Sequence, residues 1–177
     1  LSSRFNYVLG QLYLEQNQTD KAAQSFKLSV RQSQNYQMEF NARLMMLQCN
    51  SDNWEKNIKK LKRMAKNYNN KDYKDQIYTI IGNIYLSHKD TTSAIEAYKT
   101  AITESTRGGI EKAAVLITLG DLYYSQKNYI EAHPCYQEAA GIIKTEHPEY
   151  KRVTLLSETL GELAVNYSAV ELQDSLQ

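Results

Sequence analysis

Residues 78–102 read YTIIGNIYLSHKDTTSAIEAYKTAI. Apolar residues fall at Tyr78, Ile81, Ile84 and Tyr85, then at Ile95, Tyr98 and Ile102. This is helical spacing on both sides of a polar break. Gly82 sits inside the first helix, where glycine costs about 1 kcal/mol relative to alanine. Such a cost implies a packing requirement, and the requirement recurs along the chain. VLGQLY (8–13) places Gly10 and Tyr13 ahead of Ala22 and Phe26. IIGNIY places Gly82 and Tyr85 ahead of Ala94 and Tyr98, and TLGDLY (118–123) places Gly120 and Tyr123 ahead of Ala132 and Tyr136. In all three copies glycine to tyrosine is 3 residues, glycine to alanine 12, and alanine to aromatic 4.

This spacing resembles the tetratricopeptide repeat, two antiparallel helices per unit of about 34 residues. The resemblance implies that helices A and B of each unit cross closely, with a small residue at the crossing. Gly10 and Gly82 are 72 residues apart, room for two units. The unit between is degenerate. YQMEFNARLMMLQC (36–49) reads as its A helix, with Ala42 at the small position. DNWEKNIKKLKRMAKNY (52–68) reads as its B helix, with Trp54, Ile58, Leu61, Ala65 and Tyr68 on one face. Asp52 with Glu55, and Asn128 with Glu131, have capping-box spacing. Gly108 and Gly109 are expected to end one helix and turn the chain. Pro134, near the start of a B helix, predicts a kink or a delayed helix start.

The expected architecture is an all-α, right-handed α-α solenoid of about nine helices. Four hairpins span approximately 3–35, 36–70, 73–107 and 110–146, and a capping helix spans 149–177. In that helix Leu156, Leu160, Leu163, Tyr167 and Val170 form a stripe that can cover the last repeat. Leu172 and Leu176 fall off the stripe and suggest continuation beyond Gln177. The 177 residues hold 42% apolar residues but no run near the ~20 that a membrane span needs. With no initiating methionine or signal peptide, the sequence is expected to be part of a longer chain. Cys49 and Cys135 lie in different repeats and read as separate buried thiols.

No phosphate-binding, dinucleotide-binding, zinc-protease or nucleophile-elbow motif occurs. His88, His133 and His147 are isolated from one another, which argues against a metal site. The expectation is a non-catalytic chain that needs no cofactor. Asn17 and Asn166 begin glycosylation sequons, a short pattern that arises often by chance.

Two surfaces could bind a protein partner. Repeat geometry places the A helices on the concave face. There Tyr7, Gln11, Leu14, Thr79, Asn83, Leu86, Ile117, Asp121 and Tyr124 would form an aromatic and amide groove for an extended or helical segment. A second surface is basic: residues 54–75 carry 8 Lys/Arg against 3 Asp/Glu, a net of +5, whereas residues 146–177 have a net of −4. Lys56, Lys60 and Arg63 share a helix face that reads first as a solvated outer surface. A docking patch for an acidic partner is the functional alternative. Nucleic acid is disfavoured by the near-neutral total of +1. A peptide-binding adaptor that grips a C-terminal carboxylate would want Lys or Arg where Tyr7, Thr79 and Ile117 stand. The sensor region of a larger regulator is a further alternative.

A narrower resemblance is carried by YQMEFNARLMMLQC, by NIKKLKRMAKNYNNKDYKDQIYTIIGNIYL (57–86) and by LGELAVNYSAVELQDSLQ (160–177). These segments resemble the tetratricopeptide region of the SprE/PorW family, Bacteroidota lipoproteins of type IX secretion and gliding motility. That resemblance implies a scaffold on the periplasmic side of the outer membrane, whose partners are secretion-machinery subunits.

Overall fold

The structure is a computed structural model that describes residues 2–49, 51–106 and 108–174. Among these residues every regular element is helical: nine α-helices and two short 3-10 segments, joined by turns. Two compact units divide the chain, residues 1–94 and 95–177.

The first unit holds α1 (Ser3–Glu15), α2 (Thr19–Gln32), α3 (Tyr36–Cys49), α4 (Trp54–Lys66) and α5 (Lys74–Ser87). Its boundary with the second unit falls inside α6 (Thr91–Glu104). Ser2 caps α1 by accepting from the Phe5 amide. The glycine requirement is met as the spacing predicts: a Cβ at Gly10 would lie 2.7 Å from Cε1 of Phe26. Phe26 and Ala22 are fully buried, and Cys49 joins them in a core that also receives Tyr7, Tyr13 and Leu14. At the start of α1 the seam is polar. Ser3 Oγ donates to the Ser29 carbonyl at 2.8 Å, Ser29 Oγ donates to the Ser3 carbonyl at 2.9 Å, and Asn6 donates to Gln32 at 2.8 Å.

The second unit holds the rest of α6, then α7 (Gly109–Ser125), α8 (Tyr129–Ile142) and α9 (Tyr150–Asp174). Here a Cβ at Gly120 would lie 2.9 Å from the Tyr136 ring. Ala132 and Ala139 are fully buried beside it. Gly108 and Gly109 both adopt positive φ, 59° and 80°, so the turn ahead of α7 needs glycine.

The hairpin turns share one geometry. Asn17, Lys89 and Lys127, each seven residues after a repeat glycine, have φ of 57°, 61° and 59°. Around Asn17, its amide donates to the Leu14 carbonyl and the next amide to the Tyr13 carbonyl. The same pair of bonds recurs at Lys89 and Lys127. This Schellman arrangement satisfies carbonyls that a helix end leaves free.

The degenerate repeat departs from this plan. Asn57 and Leu61 occupy the alanine and aromatic places of α4, and twelve residues back lies Met45. Met45, not Ala42, therefore stands where glycine is found elsewhere, although Ala42 is fully buried. With methionine there, α3 and α4 meet over a far shorter length than α1 and α2 or α7 and α8. Asn57 is 2% exposed and donates to the Leu47 carbonyl at 3.1 Å, serving the end of α3 from outside the helix.

Several local expectations change. A short 3-10 turn (Ser51–Asn53) precedes α4, so the helix begins after Asn53 and Asp52 is not its cap. Asn128 does cap α8, accepting from the Glu131 amide at 3.3 Å. Its own amide goes to the Tyr123 carbonyl, which leaves the reciprocal half of a capping box unmade. Since α8 starts directly after Asn128, Pro134 does not delay it. Pro134 and Ile130 are both exposed, so water can reach the carbonyl whose donor proline removes. Tyr68 lies beyond α4 and is 77% exposed, because the helix ends at Lys66. Among the side chains described on α9 the buried ones are Val153 and Leu160, with Leu156 half-buried, and Leu163 is exposed. The stripe against α8 thus starts one turn earlier than its leucines suggest. The side chains of Tyr167, Val170 and Leu172, and all of Leu176, lie outside the described residues.

Two outcomes follow. Alanine at Gly10 or Gly120 should lower the denaturant midpoint by about 1–2 kcal/mol equivalent, since overpacking of ~1–3 kcal/mol exceeds the ~1 kcal/mol propensity gain. A midpoint that rises would disprove the close crossing. Glycine at Lys127 should raise stability by about 0.5–1 kcal/mol, because αL strain of ~1–2 kcal/mol outweighs the added chain entropy. Asn17→Gly should do less, since asparagine tolerates αL better, and urea titration of both variants checks the contrast.

Candidate functional site: the helix surfaces

The groove residues are mostly engaged within their own units. In the first unit Tyr7 is half-buried, its ring 5.5 Å from that of Phe26, edge to face. Burial holds its phenol above the ordinary pKa. Leu14 packs on the Phe26 core. Thr79 turns its hydroxyl back to the Asp75 carbonyl at 2.8 Å. Asn83 donates to Gln48 at 3.1 Å, tying α5 to α3, and Leu86 is half-buried. Gln11 is exposed.

In the second unit Ile117 is 7% exposed and belongs to the core. Asp121 accepts from the Tyr136 hydroxyl at 2.6 Å. It also receives Arg152 of α9 through two bonds, at 2.7 and 3.1 Å. Arg152 in turn reaches Glu149 at 2.6 Å. Burial first, then the Asp121 carboxylate, pushes the Tyr136 phenol well above its usual range. Asp121 is therefore a tie between α7, α8 and α9. Tyr124 is 43% exposed and stands edge to face with Tyr129 at 5.3 Å. Of the nine expected groove residues, only Gln11 and Tyr124 are exposed.

The basic face is different. On α4, Asn57, Ile58, Leu61 and Ala65 are buried, while Lys56, Lys59, Lys60, Lys62, Arg63 and Lys66 are all exposed. The six cations occupy the arc opposite the buried one, as a 100° step per residue requires. Among the described residues, none of the ion pairs found involves Lys56, Lys60 or Arg63. Like charges three and four residues apart disfavour the helix by a few tenths of a kcal/mol per pair. Burial of the opposite face must outweigh that repulsion.

Sequence reasoning missed Arg152, whose contact with Asp121 spans 31 residues and leaves no local signal. It also missed Asn57, although the four-residue step to Leu61 places it at the alanine position. An open, polar depression of about 720 Å³ lies beside the start of α1, lined by Ser2, Arg4, Gln32, Asn35 and Asn41 among others. Among the described residues no group of three or more His, Cys, Asp or Glu could hold a metal, and no helix is long and apolar enough to cross a membrane. His88 lies against Trp54, the two rings tilted with centroids 4.6 Å apart.

Paired antiparallel helices with a recurrent glycine crossing define an all-α helical-repeat solenoid. The chain belongs to the tetratricopeptide repeat family: a model of the tetratricopeptide repeat-like domain matches residues 3–119, and one of the tetratricopeptide repeat matches residues 113–145. No protein of curated function matches it. Among solved structures, BtubC (BKLC) from P. vanneervenii is similar in fold, with a TM-score of 0.66 and 17% identity over 94% of this chain and 74% of that one. Tetratricopeptide repeats make the chain a protein–protein interaction scaffold.

Cys49 and Cys135 are buried and free, and burial pushes both thiols up to about 11. A raised thiol pKa means that the folded state holds its protons longer than the unfolded chain does. Stability should therefore be intact below pH 9 and fall as pH climbs towards 11. Iodoacetamide should label the native chain far more slowly than the unfolded chain at neutral pH. Equal rates would contradict the burial.

Proposed function

We propose that this chain is the partner-binding region of a secretion and gliding machinery, at the periplasmic side of the bacterial outer membrane, and that it docks an acidic protein surface on α4. The assignment to that machinery is supported by the three segments that resemble the SprE/PorW family. The docking reading is carried by one observation: the solvent face of α4 presents six exposed cations against a single exposed acid, Glu55 in its first turn. A helix that is merely solvated is better served by mixed charge, which adds attraction along its length. A face with so large an excess of cations repels itself and is relieved by an anionic partner, which it also attracts at a distance. Lysine dominates over arginine here, so the face presents point charges more than planar forks. This suits rapid, charge-steered encounter.

Reversal of Lys56, Lys60 and Arg63 to glutamate tests the reading. Exposed charges contribute little to folding, about 0–1 kcal/mol, so the denaturation midpoint should stay in place. Recovery of partners from an outer-membrane and periplasmic fraction should fall sharply for the triple variant. Wild-type capture should itself weaken as salt rises, because screening shortens the reach of the face. Capture that ignores both salt and reversal would rule out docking on α4. A partner set drawn from outside the cell envelope would remove the secretion role while leaving the docking face intact.

A further inference from the structure

The outward face of α9 answers the α4 face in charge. Val153 and Leu160 are the side of α9 that turns inward, at 0% and 5% exposure. At 100° per residue, Leu155, Glu158, Glu162 and Val165 fall on the opposite side, at i, i+3, i+7 and i+10. All four are exposed, the leucine at 63% and the valine at 70%. Among the described residues, none of the ion pairs found involves Glu158 or Glu162. The row is thus two carboxylates flanked by two bare aliphatic side chains. Aliphatic groups are stabilised by cover and acids by cations, so the row asks for a surface that supplies both. Residues 146–177 have a net charge of −4 and residues 54–75 a net of +5, on a chain whose total is only +1. Two strong patches of opposite sign therefore sit on a chain with almost no overall repulsion to hold its copies apart.

We propose, resting on the docking role of α4, that its acidic partner is the α9 face of a second copy of this chain. Along α4, Lys56 to Arg63 spans about 10 Å, and along α9 the row from Leu155 to Val165 spans about 15 Å. Two helices laid side by side bring the cations over Glu158 and Glu162. The methylene stems of lysine and arginine then cover Leu155 and Val165 while the charged heads stay at the rim. Each kind of group on one face finds its complement on the other, in charge and in apolar cover. The repulsion within α4 and the exposure on α9 are relieved by the same contact. One helix face on another falls short of the roughly 20–30 residues a side that a stable interface engages. The association is accordingly weak, fast and sensitive to salt.

Exchange of the charges tests it on the purified chain, with sedimentation velocity as the readout. At low salt the average mass should rise with protein concentration, and about 0.5 M salt should return it to that of a monomer. Reversal of Lys56, Lys60 and Arg63 to glutamate should weaken self-association by about tenfold or more, and so should Glu158→Lys with Glu162→Lys. All five residues are exposed, so neither set should move the denaturation midpoint. Both sets combined in one chain should restore association to within about threefold of wild type, since the two faces have traded sign. A combined variant as weak as either set alone overturns the contact between α4 and α9. So does a wild-type chain that stays monomeric at low salt up to about 1 mM. Where a variant does not fold, the wild-type chain still decides. Carbodiimide coupling in a mixture of isotope-labelled and unlabelled chains should join a lysine of α4 to Glu158 or Glu162 across copies, and links confined to single copies overturn the proposal. A chain that does not self-associate, yet captures envelope proteins in a manner that the α4 reversal abolishes, keeps the docking role of α4 and removes the second copy as its partner. Self-association and capture that both ignore the α4 reversal overturn the two together.

Discussion

An aromatic ring laid over a glycine sets the terms for each regular hairpin. Phe26 over Gly10, and Tyr136 over Gly120, leave less than 3 Å for any added carbon. Both rings are at most 1% exposed. The close crossing sacrifices local helix propensity for burial. One aromatic side chain removes on the order of 150–250 Å² from water, far more than the glycine penalty can cancel. Other features follow from how near the two helices come. Small residues must line the second helix, hence Ala22 and Ala132. The chain must reverse within a few residues, hence the left-handed residue that closes each turn. Lysine accepts that conformation at two of the three turns. The reversal is therefore imposed by the packing and not by a preference of the turn residue itself.

The regular repeats were legible because their constraint is local and periodic. Three residue types at fixed steps report a backbone crossing directly. The middle repeat was legible only as a pair of helices, because its own solution is a hydrogen bond across the pair. Asn57 reaches the Leu47 carbonyl, and asparagine in a lysine-rich helix gives no sign of being buried. Helix starts were harder to read. Asp52 and Asn53 both suit an N-cap by composition, and the tertiary path of the chain chose between them. Lys56, Lys60 and Arg63 could be placed on the surface because amphipathic periodicity fixes which side of α4 faces inward.

The groove residues were less legible, and Asp121 explains why. From sequence it is an acid on an A helix, indistinguishable from one that faces a ligand. In the fold it holds a phenol from α8 and a guanidinium from α9. Its partners come from 15 and 31 residues away, beyond the reach of a helical periodicity. The contrast with α4 is instructive. At Asp121 opposite charges have been brought together by the fold. On α4 like charges are kept side by side and face water.

The short contact between α3 and α4 has a consequence for how the first unit breathes. Helical-repeat chains behave as strings of elements coupled to their nearest neighbours, so cooperativity is only as long-ranged as the weakest coupling. With Met45 in place of glycine, that weak coupling falls inside a hairpin, not between hairpins. The α1–α2 pair with α3, and α4 with α5, are each better bound to one another than α3 is to α4. Sub-global opening of this unit is expected to start at the joint between them, held there by Asn83 on Gln48 and Phe40 on Tyr73, with amide exchange ahead of that in the Phe26 core. The cationic helix thereby sits on the side of that joint where its packing on α5 exceeds its packing on α3.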